Sequence, residues 1–264
     1  IKHKKVFVRD EINNLKKRTF LNKLLNKFFF YFFDKFIDCY LSIGIENKNT
    51  LIKYGINKKK IFNVPYVVDN KYFFSKSKIT NKKLKILFTG KLIHRKGCDL
   101  LLKAIFLLNK KKNFKKKTNV LIVGEGNLKE KYSKLKKELN LNNVKFCGFK
   151  NQTSIKKYYK NSNLFIMPSR EENWGLAVNE AMASTNSIIC SNMVGCSKNL
   201  VKNNYNGYIF KSDDYKDLAK KIFLFHDNPT KLNRFAKNSL KIISKHSFNE
   251  CYRGIIKAIN YVKL

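Results

Sequence analysis

Three of the chain's 18 acidic residues, Glu171, Glu172 and Glu180, stand around Gly175 in the stretch Arg170-Glu-Glu-Asn-Trp-Gly-Leu-Ala-Val-Asn-Glu180. A carboxylate accepts hydrogen bonds from neighbouring hydroxyls, so two acids eight positions apart can each hold a pair of sugar hydroxyl groups. Upstream, Lys91, Arg95 and Lys96 lie between Gly90 and Gly97. Cationic donors beside glycines, where the backbone can come close, suit a phosphate. Together these groups match a nucleotide sugar, with cations for its diphosphate and acids for its two sugars. For Glu171 and Glu172 alone, a favourable start to a helix is an equally good account.

The elements that must position these residues show in the apolar pattern. From Leu84 onward the runs Ile86–Phe88, Val120–Val123, Val144–Cys147, Leu164–Met167, Ile188–Cys190 and Tyr208–Phe210 alternate with helix-period segments such as Leu100–Leu108 and Leu128–Leu139. Continuous β-rich runs separated by helices predict a parallel, doubly wound α/β sheet. Ligands of such sheets bind beyond the carboxyl ends of the strands. The residues there are Gly90 to Gly97, then Gly124-Glu-Gly126, then Gly148-Phe149, then Pro168 to Glu172. No GxxxxGK[ST] sequence occurs, and Gly124-Glu-Gly126 lacks the third glycine of the dinucleotide fingerprint.

The first 80 residues have another texture. Lys5–Arg9 and Cys39–Ile43 read as strands, a helix ends at Tyr54-Gly55, and Ile61–Val68 is extended around Pro65. Leu21, Leu24, Leu25, Phe28, Phe29, Phe32 and Phe36 share one face of a helix, which is expected to pack in a core; a lysine-rich aromatic helix can also lie on an anionic membrane surface. The polar stretch Ser75–Lys83 reads as a linker. The final helix, about Phe248–Val262, carries Tyr252, Ile255, Ile256, Ile259 and Val262 on one face and is expected to pack back on residues 1–60.

Composition narrows the classes. Lys and Arg number 56 against 18 acids, a net charge of +38, but only six of the 56 are Arg. The abundance of Lys, Asn, Ile and Phe matches a strongly AT-rich coding bias, so the charge does not by itself call for nucleic acid, and no aromatic stacking module accompanies the lysines. The six cysteines show no CxxC pairing or metal-ligand rhythm and read as reduced thiols. The most lipid-like run, Phe28–Phe33, is far short of the roughly 20 apolar residues of a membrane span.

Gly90-Lys-Leu with Lys96-Gly97, Val123-Gly-Glu-Gly126, Phe146-Cys-Gly148, Pro168-Ser169 and Glu172-Asn-Trp-Gly-Leu-Ala-Val-Asn-Glu180 resemble, in order, the motifs of the family 4 retaining glycosyltransferases, including their Glu-x7-Glu pattern. Val194-Gly195, Asn206-Gly207 and Val64–Asp69 extend the resemblance from about residue 39 to the end.

The resemblance implies a GT-B architecture of two Rossmann-like domains, with residues 1–75 the tail of the acceptor-side domain and linker, 76–245 the nucleotide-sugar-binding domain, and 246–264 a helix returning to the first domain. It implies retaining transfer from a nucleotide-diphosphate sugar to a saccharide or lipid-linked acceptor, in bacterial polysaccharide, lipopolysaccharide or glycolipid synthesis. No metal or cofactor is implied, and no nucleic acid. The place implied is cytoplasmic, at the inner face of the plasma membrane. By position, Lys91, Lys96 and Glu172 are the catalytic group. Gly90, Lys91, Arg95, Lys96, Gly124, Gly126, Phe149, Glu172, Trp174, Gly175, Leu176 and Glu180 line the donor site, with Glu180 on the ribose. Family members usually have Arg where this chain has Lys91, so a bidentate clamp becomes a point charge. A complete acceptor domain needs roughly another 100 to 150 residues before Ile1, so the active enzyme is expected to be a longer protein. A noncatalytic nucleotide-sugar binding module and a GT-B epimerase or phosphorylase are the alternatives.

Overall fold

A computed structural model describes residues 4–15, 19–75 and 83–263, and most of the expected linker lies outside the described residues. The chain divides into two compact units, residues 1–68 with 245–264, and residues 69–244.

The first unit holds β1 (Phe7–Val8), α1 (Phe20–Phe33), β2 (Cys39–Ser42), α2 (Ile45–Lys53) and β3 (Ile61–Asn63), with the strands in a parallel sheet of order β1-β2-β3. Its core gathers Phe30, Tyr40, Leu51, Tyr54, Ile56 and Ile61, with the Phe30 and Tyr54 rings stacked 5.3 Å apart. The expected core face of α1 is not buried. Leu21, Leu24, Leu25, Phe28, Phe29, Phe32 and Phe36 are all exposed, and the helix turns Phe30 inward instead. Among the described residues nothing covers that face. Among the described residues no helix is long and apolar enough to cross a membrane.

The last helix, Phe248–Lys263, packs on β2 and β3. The contact centres on Gly254 and Ala258, which are buried; of the expected face, Ile256, Ile259 and Val262 are half-buried and Tyr252 and Ile255 exposed. The reason is close approach. A Cβ on Gly254 would stand 2.0 Å from the Asn63 carbonyl oxygen, and Cys39 Sγ reaches the Ala258 carbonyl at 3.6 Å.

The second unit runs β4 (Leu84–Thr89), α3 (Cys98–Asn109), β5 (Thr118–Val123), α4 (Lys129–Glu138), β6 (Val144–Phe146), α5 (Gln152–Lys160), β7 (Leu164–Met167), α6 (Leu176–Ala183), β8 (Ser187–Ser191), β9 (Gly207–Phe210), α7 (Tyr215–His226) and α8 (Pro229–Ile243). Each of the six apolar runs is a strand. They form one parallel sheet of order β6-β5-β4-β7-β8-β9, so the chain winds one way from β4 and then the other from β7. Every residue of β7 and β8 is buried, as expected of strands covered on both faces. Asn151 and Asn228 cap α5 and α8 through their side-chain oxygens, and Pro229 opens α8.

Residues 69–75, read from sequence as part of the first region, belong to the second unit. Ser75 Oγ donates to the Ser184 carbonyl at 2.9 Å, Ser184 Oγ to that of Phe73 at 2.8 Å, and Thr185 Oγ1 to that of Ser75 at 2.6 Å, all buried. These three bonds sew the segment to the end of α6.

Candidate functional site

The strand order reverses between β4 and β7, and in an open α/β sheet that is where the loops diverge and leave a crevice beyond the carboxyl ends. Because all six strands are parallel, Gly90, Gly124, Gly148 and Ser169 emerge at the same edge. The loops there are tied to one another. Gly90 N donates to the Val123 carbonyl at 3.0 Å, Gly124 N to that of Gly148 at 2.9 Å, and Leu92 N to that of Glu125 at 2.8 Å. Gly124 is required by this closeness: its φ is +146°, and a Cβ would sit 1.9 Å from the Gly90 carbonyl oxygen. Gly126 packs against the backbone of Leu92 in the same place.

The loop after β4 closes with a 3-10 turn at His94–Lys96 and runs into α3. It is held against the loop after β7 by Arg170, whose guanidinium grips Asp99 through two hydrogen bonds of 2.8 and 2.7 Å and donates to the His94 carbonyl at 2.8 Å. The Arg170 backbone N–H donates to the Arg95 carbonyl at 2.8 Å. Burial pushes the Asp99 carboxyl up, and the Arg170 hydrogen bond and charge bring it below its ordinary value. Arg170 is thus the residue that fixes the cationic loop in place. Sequence reasoning left it out of the site, although an arginine in a chain so rich in lysine, directly before two acids, is the available signal.

Within this frame Lys96 Nζ is ion-paired with Glu172 Oε2, and both side chains are mostly buried. Arg95 Nη1 lies 3.9 Å from the other oxygen of Glu172 and donates to the Glu171 carbonyl at 3.2 Å. Lys91 is exposed on the same loop. Phe149 stands 70% exposed after Gly148. Gly175 caps the start of α6, and Leu176, 44% exposed, is its first residue. The first N–H groups of α6 have no acceptor within the helix and carry its positive end. Trp174 corrects the sequence expectation. Its ring is 3% exposed and its indole N–H donates to Asn179 Oδ1 at 3.1 Å, so it anchors the corner between the β7 loop and α6 and presents no ring to a ligand.

Glu180 stands partly buried on α6 and is reached from below. Its Oε2 accepts from the Tyr159 hydroxyl at 2.6 Å, and that hydroxyl lies 2.9 Å from Thr89 Oγ1. Burial raises the Glu180 pKa, and the Tyr159 hydrogen bond opposes the rise. Since Thr89 immediately precedes Gly90, the second glutamate is coupled to the base of the cationic loop. Nothing in the sequence marks Tyr159 or Thr89 for this.

The arrangement offers three cations, a helix start and two carboxylates around one sheet edge. The family model of the glycosyl transferases group 1 matches residues 69–242. A Campylobacter jejuni N,N'-diacetylbacillosaminyl-diphospho-undecaprenol alpha-1,3-N-acetylgalactosaminyltransferase is 30% identical over 260 residues, which are 97% of this chain and 64% of that protein. Among solved structures, an S. aureus TarM mutant in complex with fondaparinux, alpha-GlcNAc-glycerol and UDP superposes with a TM-score of 0.79 at 22% identity, over 97% of this chain and 51% of that one. Anabaena HepE in complex with UDP superposes with a TM-score of 0.81 at 15% identity, over 98% of this chain and 72% of that one. This chain therefore spans 64% of the length of the Campylobacter relative and 51% of TarM. The fold is the GT-B type of these transferases, and the chain belongs to the glycosyl transferases group 1 family.

Proposed function

We propose that the second unit binds a nucleoside diphosphate sugar at the carboxyl edge of β4 and β7, and that the longer protein transfers the sugar with retention of configuration. The observation that carries this reading is the ion pair of Lys96 with Glu172 at the sheet's switch point. A diphosphate is the stronger partner for Lys96, and its arrival frees the Glu172 carboxylate to accept hydrogen bonds from the sugar's hydroxyls. Glu180 receives the ribose hydroxyls. Lys91 and Arg95 add charge at the loop's outer side, and the start of α6 at Gly175 and Leu176 adds oriented N–H groups.

Transfer follows from where charge grows. As the bond between the anomeric carbon and the diphosphate oxygen breaks, negative charge accumulates on the diphosphate, which Lys96, Lys91 and the helix start stabilise more strongly than in the ground state. The acceptor oxygen attacks the same face of the anomeric carbon, and its proton passes to the departing diphosphate oxygen. The bond lost and the bond made lie on one face, which gives retention. The acceptor is a saccharide or lipid-linked saccharide of bacterial polysaccharide, lipopolysaccharide or glycolipid synthesis, met at the inner face of the plasma membrane. The composition of α1 fits that place: it is rich in Phe and Leu, carries Lys23 and Lys27, and has no acidic residue.

In the complete protein, Lys96→Ala is expected to lower kcat/KM by about 10² or more, and Glu180→Ala to act mainly by raising the donor KM, because ribose contacts change little between ground and transition state. Near-normal turnover in Lys96→Ala, with Glu180→Ala inactive at saturating donor, overturns these roles.

A further inference from the structure

The hydroxyl beneath Glu180 is built with more care than packing requires. The Tyr159 ring on α5 is fully buried, lying edge-on to Phe73 at 6.0 Å and 5.8 Å from Phe165, contacts that a phenylalanine would make equally well. Its oxygen instead sits between two polar partners, 2.6 Å from Glu180 Oε2 and 2.9 Å from Thr89 Oγ1. A phenol has one proton. With that proton given to the carboxylate, the Thr89 hydroxyl must donate to Tyr159, so the three groups form a directed chain from the end of β4 through α5 to α6. Successive hydrogen bonds polarise one another in a low-dielectric interior, and the negative end of the chain is the carboxylate. The chain occupies Oε2 and leaves Oε1 without a protein partner among the described residues. A glutamate side chain has three rotatable bonds and loses rotamer freedom when it binds; one oxygen already fixed removes part of that cost beforehand.

We infer that Tyr159 is a positioning residue for nucleotide recognition, holding the Glu180 carboxylate in one orientation so that its free oxygen meets the ribose hydroxyls, with Thr89 orienting Tyr159 in turn. This rests on reading Glu180 as the ribose-binding group. Burial of Glu180 works against its ionised form, and the Tyr159 hydrogen bond is the contact that favours it.

The test is calorimetric titration of the full chain with UDP and 2′-deoxy-UDP at neutral pH, in wild type, Tyr159→Phe and Glu180→Gln, with each variant's thermal midpoint measured alongside. Wild type is expected to prefer UDP. Tyr159→Phe keeps the buried ring, and is expected to lose about tenfold in UDP affinity with a much smaller loss for 2′-deoxy-UDP, so that the preference collapses. Equal weakening of both nucleotides marks a merely structural tyrosine and overturns the inference. Glu180→Gln separates the two layers. If it abolishes the preference while Tyr159→Phe keeps it, the positioning role is wrong and the donor-site reading stands; if it leaves the preference intact, the ribose assignment itself fails. Should Tyr159→Phe not fold, Thr89→Val removes only the first donor and must reduce the preference about threefold; an unchanged preference overturns the inference. If UDP does not bind, GDP and ADP with their 2′-deoxy forms are the probes, and failure of all three ribonucleotides overturns the donor-site reading.

Discussion

The two parallel sheets of this chain treat apolar residues in opposite ways. In the second unit the central strands β7 and β8 are buried at every residue, and helices such as α3 bury most of their apolar side chains against the sheet. In the first unit α1, the most aromatic helix of the described chain, buries Phe30 alone and leaves Phe20, Phe28, Phe29, Tyr31 and Phe32 exposed. Sequence periodicity is present in both. What differs is the partner present among the described residues: six strands winding both ways give each helix of the second unit a groove to fill, whereas the first unit supplies three strands of two to four residues. An apolar stripe reports which residues share a face, and the surrounding sheet decides whether that face becomes core.

Pairs of similar substitutions in the two regions sharpen this contrast. The largest effect is expected for Phe165→Ala in β7, where the side chain is fully buried: urea denaturation should show a loss of about 3–5 kcal/mol. A loss below about 1 kcal/mol would mean that the second unit is packed as loosely as the first.

Asp99→Asn comes next. It removes the charge that Arg170 grips with bonds of 2.8 and 2.7 Å, and is expected to cost about 1.5–3 kcal/mol at neutral pH. The sign of its pH dependence follows from the Asp99 pKa, which is depressed below 3.8 in the folded protein. The stabilisation is complete above the unfolded value and drains as pH falls through the lower folded one. The gap between wild type and Asp99→Asn should therefore stay level from neutrality down to about pH 5 and narrow below about pH 4. A gap that closes near pH 6 would show that Asp99 is not the titrating partner.

Smaller effects compare equivalent caps. Asn228 accepts from Lys231 N at 2.9 Å at the start of α8, and Thr19 accepts from Asn22 N at 3.3 Å at the start of α1. Asn228→Ala is expected to cost about 1 kcal/mol and Thr19→Ala about half as much, since α1 is anchored at so few residues. Chemical denaturation of both variants checks the ratio, and a costlier Thr19→Ala would show α1 to be the more firmly held helix. Least of all, Phe28→Ser on α1 should change stability by no more than about 0.5 kcal/mol while lowering cosedimentation with phosphatidylglycerol vesicles. A stability loss above about 2 kcal/mol would show that Phe28 is core after all, and unchanged cosedimentation would detach α1 from the membrane.

Much of the second unit was legible because its signals are local. An apolar run bounded by glycine, or a helix-period segment such as Leu100–Leu108, needs only its neighbours to act. The positions of Gly90, Gly124, Gly148 and Ser169 at one edge also follow from sequence, because parallel strands send every following loop the same way. Trp174 misled because a residue's place in a motif does not say which way its ring turns, and here the ring turns into the interior, where Asn179 accepts its N–H.

By itself, then, the sequence determined the alternation of strands and helices, the sheet edge where the glycines gather, and the acids and cations placed there. The tertiary structure alone decided that Arg170 would clamp Asp99, 71 residues away, and that Thr89 would meet Tyr159 across 70 residues. The physical reason is the same in each case. A hydrogen bond needs its two atoms within about 3 Å, and a buried face needs a surface to lie on; both depend on which strand the crossovers set beside which, a choice that no local stretch of residues contains.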